Sequence, residues 1–81
     1  MFVVYALGSE NRRYIYVGLT ENLERRLNEH NSGKNRTTKP YRPFRVLFTK
    51  SFDTRTEARR EEIRLKGGSG KEFLYTLYSE K

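Results

Sequence analysis

The apolar positions of this chain fall into short, separated groups with three different spacings. Phe2 to Leu7 is a near-continuous apolar run of strand length. Tyr14-Ile15-Tyr16-Val17 is a second, β-branched and aromatic run. The polar segment Ser9-Glu10-Asn11-Arg12-Arg13 between them suits the loop of an antiparallel hairpin. The spacing then changes to that of a helix: Leu23 and Leu27 stand at i and i+4, Thr20 is a plausible N-cap, and Ser32-Gly33 supplies the stop. A helix from about Glu21 to Asn31 is expected, with Glu21 and Glu24 at its positive end.

Phe44 to Phe52 alternates imperfectly and reads as a third strand. Thr54-Arg55-Thr56-Glu57 is a capping box that starts a helix running to about Lys66. Gly67-Gly68-Ser69-Gly70 is expected to break it, and Lys71 to Tyr78 to form a last helix with Phe73, Leu74 and Leu77 on one side. The order β-β-α-β-α-α describes a small α+β domain with a three-stranded antiparallel or mixed sheet flanked by helices. There is no internal repeat and no linker, so residues 1–81 are read as a single domain.

A chain of 81 residues without cysteine has neither disulfides nor a thiolate metal site to hold it together. Its six tyrosines and five phenylalanines are expected to supply much of the buried area. Seventeen Lys and Arg against ten Asp and Glu leave a formal charge of +7, a field that favours polyanions. No apolar run approaches the length of a transmembrane helix, and the apolar N-terminus lacks the basic segment of a signal peptide. No membrane association and a cytoplasmic location are expected. Between Glu29 and Asp53 there is no acid, and Lys34, Arg36, Lys39 and Arg42 occupy the segment from Gly33 to Pro43. These four cations are candidate contacts to nucleic-acid phosphates.

Helix geometry selects residues for chemistry. At about 100° per residue, His30 falls some 20° from Leu23 and Arg26 some 60° from it, so both turn toward the sheet while Arg25 faces solvent. A guanidinium can hold phosphate charge with its planar donor fork. A tyrosine can take part in proton transfer only where a nearby cation favours its phenolate. In the third-strand helix, Glu61 and Glu62 lie on either side of the apolar direction set by Ala58 and Leu65, and Ile63 tilts that direction toward Glu62. Taken singly, each residue has a plain structural role open to it: strand aromatics, a surface ion pair, a core histidine, a solvated acid.

Together these residues resemble the GIY-YIG endonuclease superfamily. Val3-Val4-Tyr5 is similar to its first motif and Tyr16-Val17-Gly18 to its second. Arg26 lies eight residues beyond Gly18, His30 one turn later, and Glu57-Ala58-Arg59-Arg60-Glu61-Glu62-Ile63-Arg64-Leu65-Lys66 resembles the family's metal-site helix. The likeness covers roughly residues 2 to 75, and its small size resembles that of stand-alone members related to the nuclease domain of bacterial nucleotide-excision repair.

The resemblance implies a metal-dependent endonuclease hydrolysing DNA phosphodiester bonds, in DNA repair, recombination or mobile-element biology. It implies Tyr5, Tyr16, Arg26, His30 and Glu62 as catalytic residues, gathered on one side of the sheet. Tyr16 is implied as the base, Tyr5 as an orienting group and Glu62 as ligand of a divalent ion, Mg²⁺ or alternatively Mn²⁺. Glu61 is the competing ligand. The implied partner is DNA, with RNA, a protein partner and a dimer left open. The alternative is a catalytically weak nucleic-acid-binding module on the same fold. Three departures stand out: Val3 replaces the first motif glycine, Leu19 stands where some members carry lysine, and no asparagine can be assigned to the site. Ser69-Gly70-Lys71 resembles a phosphate loop only faintly and is read as a flexible basic turn.

Overall fold

A computed structural model describes residues 1–79. β1 (Phe2–Ser9) and β2 (Ile15–Thr20) form the expected hairpin, followed by α1 (Leu23–Ser32), a single 3-10 turn (Lys39–Tyr41), β3 (Phe44–Phe52), α2 (Arg55–Lys66) and α3 (Gly68–Ser79). The sheet has three strands in the order β2-β1-β3, and both pairings are antiparallel. The α+β order read from the pattern is the order observed.

The central strand sorts the molecule into two layers, because successive side chains leave a strand on opposite faces. Val4 and Ala6 join Ile15, Val17, Ala58, Leu65 and Leu74 in a core under α2 and α3. Tyr5 and Leu7 join Phe44 on the other face, with Tyr14, Tyr16, Leu23, Leu27 and Tyr41 packed against them under α1. The imperfect alternation of β3 has a structural cause: the pairing of β1 with β3 shifts register between Ala6 and Leu7, whose partners are Phe48 and Val46, so Leu47 is an extra residue on the bulged strand.

Three features differ from expectation. α1 begins at Leu23, because Asn22 and not Thr20 is the N-cap; its side chain accepts from the Arg25 N–H at 3.0 Å. Thr20 instead ends β2, and its hydroxyl accepts from the Asn22 N–H at 3.0 Å, shaping the turn one step earlier. The Gly67–Gly70 segment does not form a flexible turn. Gly67 is the C-cap of α2 and α3 starts at once at Gly68. Gly70 sits against the Arg64 carbonyl and the Leu65 Cα, where a side chain would collide with the neighbouring helix, so this glycine serves helix–helix contact. Finally, Ile63 and Phe73 are exposed rather than buried; α2 packs through Ala58, Glu62 and Leu65, and α3 through Gly70 and Leu74.

The other caps match. Thr54 caps α2 as the box predicts, accepting from the Glu57 N–H at 3.2 Å, while the Glu57 carboxylate accepts from the Thr54 hydroxyl at 3.1 Å. Gly33 ends α1 with φ of 84°, and its N–H bonds back into the last turn. Among the described residues no helix is long and apolar enough to cross a membrane.

Candidate active site

Tyr5 occupies the middle of the central strand, and its partner across the hairpin is Gly18. A Cβ on Gly18 would lie 2.5 Å from the Tyr5 hydroxyl oxygen and 3.0 Å from the Tyr16 ring. The Tyr-Val-Gly motif therefore has a steric basis: the glycine supplies the space into which the phenol of Tyr5 extends. Tyr5 is fully buried, the largest side chain to be so. Its Oη lies 3.2 Å from Nε2 of His30. Burial pushes the phenol above its ordinary pKa, the nearby Arg26 guanidinium works against that, and Tyr16 and Glu62 add to the rise. At neutral pH Tyr5 is thus an uncharged hydrogen-bonding group.

His30 projects from the last turn of α1 into the same layer and is also fully buried. Nδ1 of the ring is 2.8 Å from Oγ1 of Thr38, a threonine with no exposed surface. Burial, and after it the charge of Arg26, lowers the imidazole pKa, so the ring is neutral, with one nitrogen donating and the other accepting. When Nδ1–H donates to Thr38, the threonine hydroxyl can point at the Asn35 carbonyl 3.5 Å away, and Nε2 accepts from Tyr5. The three side chains form one buried hydrogen-bonded line.

Tyr16 completes the aromatic wall, with its ring centroid 4.8 Å from that of His30 and 6.2 Å from that of Tyr5. Arg26 lies at the rim, 31% exposed in its side chain against 68% for Arg25, as the helical spacing predicted. It donates to Oε1 of Glu29 at 3.0 Å, and the neighbouring Tyr5 phenol, more than any other group, raises its pKa.

Glu62 reaches this group from elsewhere. Four of the five expected residues share the α1 face, but Glu62 stands on α2, which packs on the opposite face through the flanking Ala58 and Leu65. α2 crosses β1 and the edge strand β2. The Glu62 carboxylate is close enough to raise the Tyr5 pKa, which links it electrostatically to the phenol. It is 7% exposed and ion-paired with Lys66 at 3.1 Å and Arg59 at 3.4 Å. Glu61 is held by two bonds from Arg64, which lower its pKa.

No group of three or more metal-ligating side chains occurs among the described residues. A Mg²⁺ ion keeps several waters and needs only one or two carboxylates, so the lone Glu62 meets its minimum requirement. The two cations that cover this carboxylate are more than half exposed in their side chains and can swing clear.

Lys34, Arg36, Lys39 and Arg42 are all exposed, and none is in an ion pair among the described residues. Their segment is anchored beside the site by Thr38 under His30 and by Tyr41, whose ring stacks on Tyr14 at 3.9 Å. No local pattern singles out Thr38. It lies in a polar loop and follows another threonine, and only its return beneath α1 distinguishes it.

A profile of the GIY-YIG catalytic domain matches residues 1–76. A UPF0213 protein of Oceanobacillus iheyensis is 45% identical over 53 residues, which are 64% of this chain and 62% of that one, so the match spans less than two thirds of that relative. A UPF0213 protein of Halobacterium salinarum is 37% identical over 67 residues, covering 82% of this chain and 86% of the relative. The solution NMR structure of a UPF0213 protein from Bacillus halodurans superposes with a TM-score of 0.56 at 34% identity, covering 95% of this chain and 85% of that one. With its two tyrosine motifs, its inward arginine and histidine and its strand order, the chain belongs to the GIY-YIG catalytic domain family, a family of nucleases.

Proposed function

We propose that this protein is a metal-dependent endonuclease that hydrolyses DNA phosphodiester bonds in the cytoplasm. The observation that carries the reading is the buried line Tyr5–His30–Thr38 with Arg26 at its exposed end. Burying two titratable side chains beside a guanidinium costs stability that a purely structural core would not require.

Each residue has a part in the proposal. Arg26 binds the scissile phosphate with its fork of donors, where negative charge grows in the transition state. Tyr5, uncharged and held by His30, hydrogen-bonds and orients the attacking water. Tyr16, at the less buried side of the same wall, takes the proton from that water as it passes its own phenolic proton on to solvent. Glu62 would hold Mg²⁺ or Mn²⁺, which when bound supplies Lewis-acid stabilisation of phosphate charge. Lys34, Arg36, Lys39 and Arg42 track the flanking phosphates. Each charge reversal among them should lower the salt slope of DNA binding by about one unit, roughly equally across sequences.

One observation favours a second reading, a binding module without efficient cleavage: Glu62 is the lone carboxylate of the site and is shared by Arg59 and Lys66. A cleavage assay with Mg²⁺ and Mn²⁺ on duplex, branched, damaged and single-stranded DNA, with RNA alongside, separates the two. Cleavage by wild type that is abolished in Glu62→Gln, with binding retained, supports the nuclease. Tight binding with no cleavage of any substrate sinks it in favour of the binding module. Cleavage that survives Glu62→Gln but not Glu61→Gln would move the ligand by one residue.

A further inference from the structure

α2 carries more positive charge than its structural role explains. Arg55, Arg59, Arg60, Arg64 and Lys66 share a 12-residue helix with three acids. Each acid already has a partner: Glu57 accepts from the Thr54 hydroxyl, Glu61 is bound by Arg64, and Glu62 is shared by Arg59 and Lys66. Arg55 and Arg60 are in no ion pair among the described residues. The cations begin in the first turn, where the helix dipole disfavours them.

Their arrangement is directional. At about 100° per residue, Arg55, Arg59, Glu62 and Lys66 fall within about 60° of one another, so they form one stripe along the helix. Glu62 lies in the line of that stripe as its single acid. Arg55, Thr56, Arg59 and Arg60 border a shallow surface hollow at its start. Beyond Lys66 comes Lys71 of α3, whose Nζ donates to the Ile15 carbonyl of β2 at 3.2 Å. Burial, and after it the charge of Lys66, pulls the Lys71 pKa down, so an anion placed here would relieve an existing repulsion.

We propose that the α2 stripe Arg55–Arg59–Lys66, continued by Lys71, is a second phosphate track that holds one strand of a nucleic acid and leads it over Glu62. From residue 55 to residue 66 the helix rises about 16 Å, the axial rise of about five nucleotides of one strand. This track lies on the opposite face of the sheet from the loop carrying Lys34 to Arg42, and the edge strand β2 separates them. A nucleic acid bound to both surfaces is gripped on either side of β2. In that position Arg59 and Lys66 exchange Glu62 for phosphate, which uncovers the carboxylate. The inference rests on the reading of the substrate as nucleic acid.

The experiment is fluorescence anisotropy with a labelled DNA duplex and a labelled single strand, in EDTA, across a salt series. Arg55→Gln combined with Arg59→Gln should lower the slope of log affinity against log salt by about two units, with the same loss on every sequence. Arg55→Lys combined with Arg59→Lys keeps the charge and should restore the slope, which separates charge from damage to the helix. Arg25→Gln, on the solvent side of α1, should leave the slope unchanged. A glutamine double variant with wild-type affinity and slope overturns the track while leaving the nuclease reading in place. A lysine double variant as weak as the glutamine one overturns it too. Wild type that binds neither DNA overturns both. Because no metal is present, the result does not depend on cleavage.

Discussion

Val4 and Ala6 leave β1 on one face of the sheet, and Tyr5 and Leu7 leave it on the other. The first pair meets Ala58, Leu65 and Leu74, and the buried centre of the layer they form under α2 and α3 is aliphatic, with Phe2, Phe48, Phe52, Tyr75 and Tyr78 packed around it and Glu62 at its margin. The second pair meets tyrosines, a histidine and a threonine, whose polar atoms pair with one another inside the layer. Among the described residues no fully enclosed side-chain polar atom lacks a partner. The two layers thus solve burial differently. One excludes polar groups and takes its stability from apolar area. The other buries polar groups and satisfies them in a line, which fixes their positions at some cost in stability. Rigidly placed polar atoms are what a catalytic site needs, and a single strand supplies both layers because its side chains alternate.

The comparison breaks most severely at Arg26. Arg26→Ala should reduce cleavage by about 10²–10³-fold in single-turnover assays, the range for loss of one preorganised donor. DNA affinity in EDTA should change only modestly, and the thermal melt by a few degrees. A large loss of stability instead would show that the α1 layer also carries the fold.

On the aliphatic side, Leu74→Ala should cost about 2–5 kcal/mol in denaturant-measured stability, because Leu74 is fully buried between the helices and the sheet. Under conditions where the variant remains folded, its cleavage rate should stay near that of wild type. Gly18→Ala tests the boundary between the layers. Its methyl group would meet the Tyr5 hydroxyl, so overpacking should cost about 1–3 kcal/mol and cleavage should fall as Tyr5 is displaced. Unchanged cleavage in that variant would remove Tyr5 from the chemistry.

The smallest effect concerns pH. The folded state holds the His30 pKa below its unfolded value of about 6.5. As pH falls, the unfolded chain therefore takes up this proton first. Stability from the neutral ring is complete above the unfolded value and is lost as pH drops through the folded one. Denaturant midpoints measured from pH 7.5 down to pH 5 should decline in wild type and decline less in His30→Gln. Equal declines would mean that His30 is not held neutral by the polar layer.

The sequence pattern located nearly every element because period and punctuation agree: alternation or apolar runs in the strands, Leu23 and Leu27 on α1, and the Thr54–Glu57 box before α2. Local hydrogen bonding moved the start of α1, since Thr20 and Asn22 compete for the same turn and sequence cannot rank them. Gly67 ends α2 as expected, but Gly68–Gly70 looked like a continued turn because glycine disfavours helix on its own. The close packing of α3 on α2 overrides that preference at Gly70. Ile63 was misleading for a related reason: it is apolar but points to solvent, so it did not mark the inner face of α2.

The site divides along the same line. Arg26 and His30 could be read from helical spacing, because both lie on the element whose apolar face defines inward. The burial of Glu62 depended on how α2 docks, and Thr38 depended on a loop folding back beneath α1. By itself the sequence determined the elements, their order, the basic surplus and the helix faces, all of which follow from neighbours within a few turns. Only the tertiary structure decided which face of the sheet each helix covers, that Glu62 approaches Tyr5 from the far side, and that Thr38 ends the buried line. Those outcomes rest on contacts between residues distant in the chain, for which no local period exists.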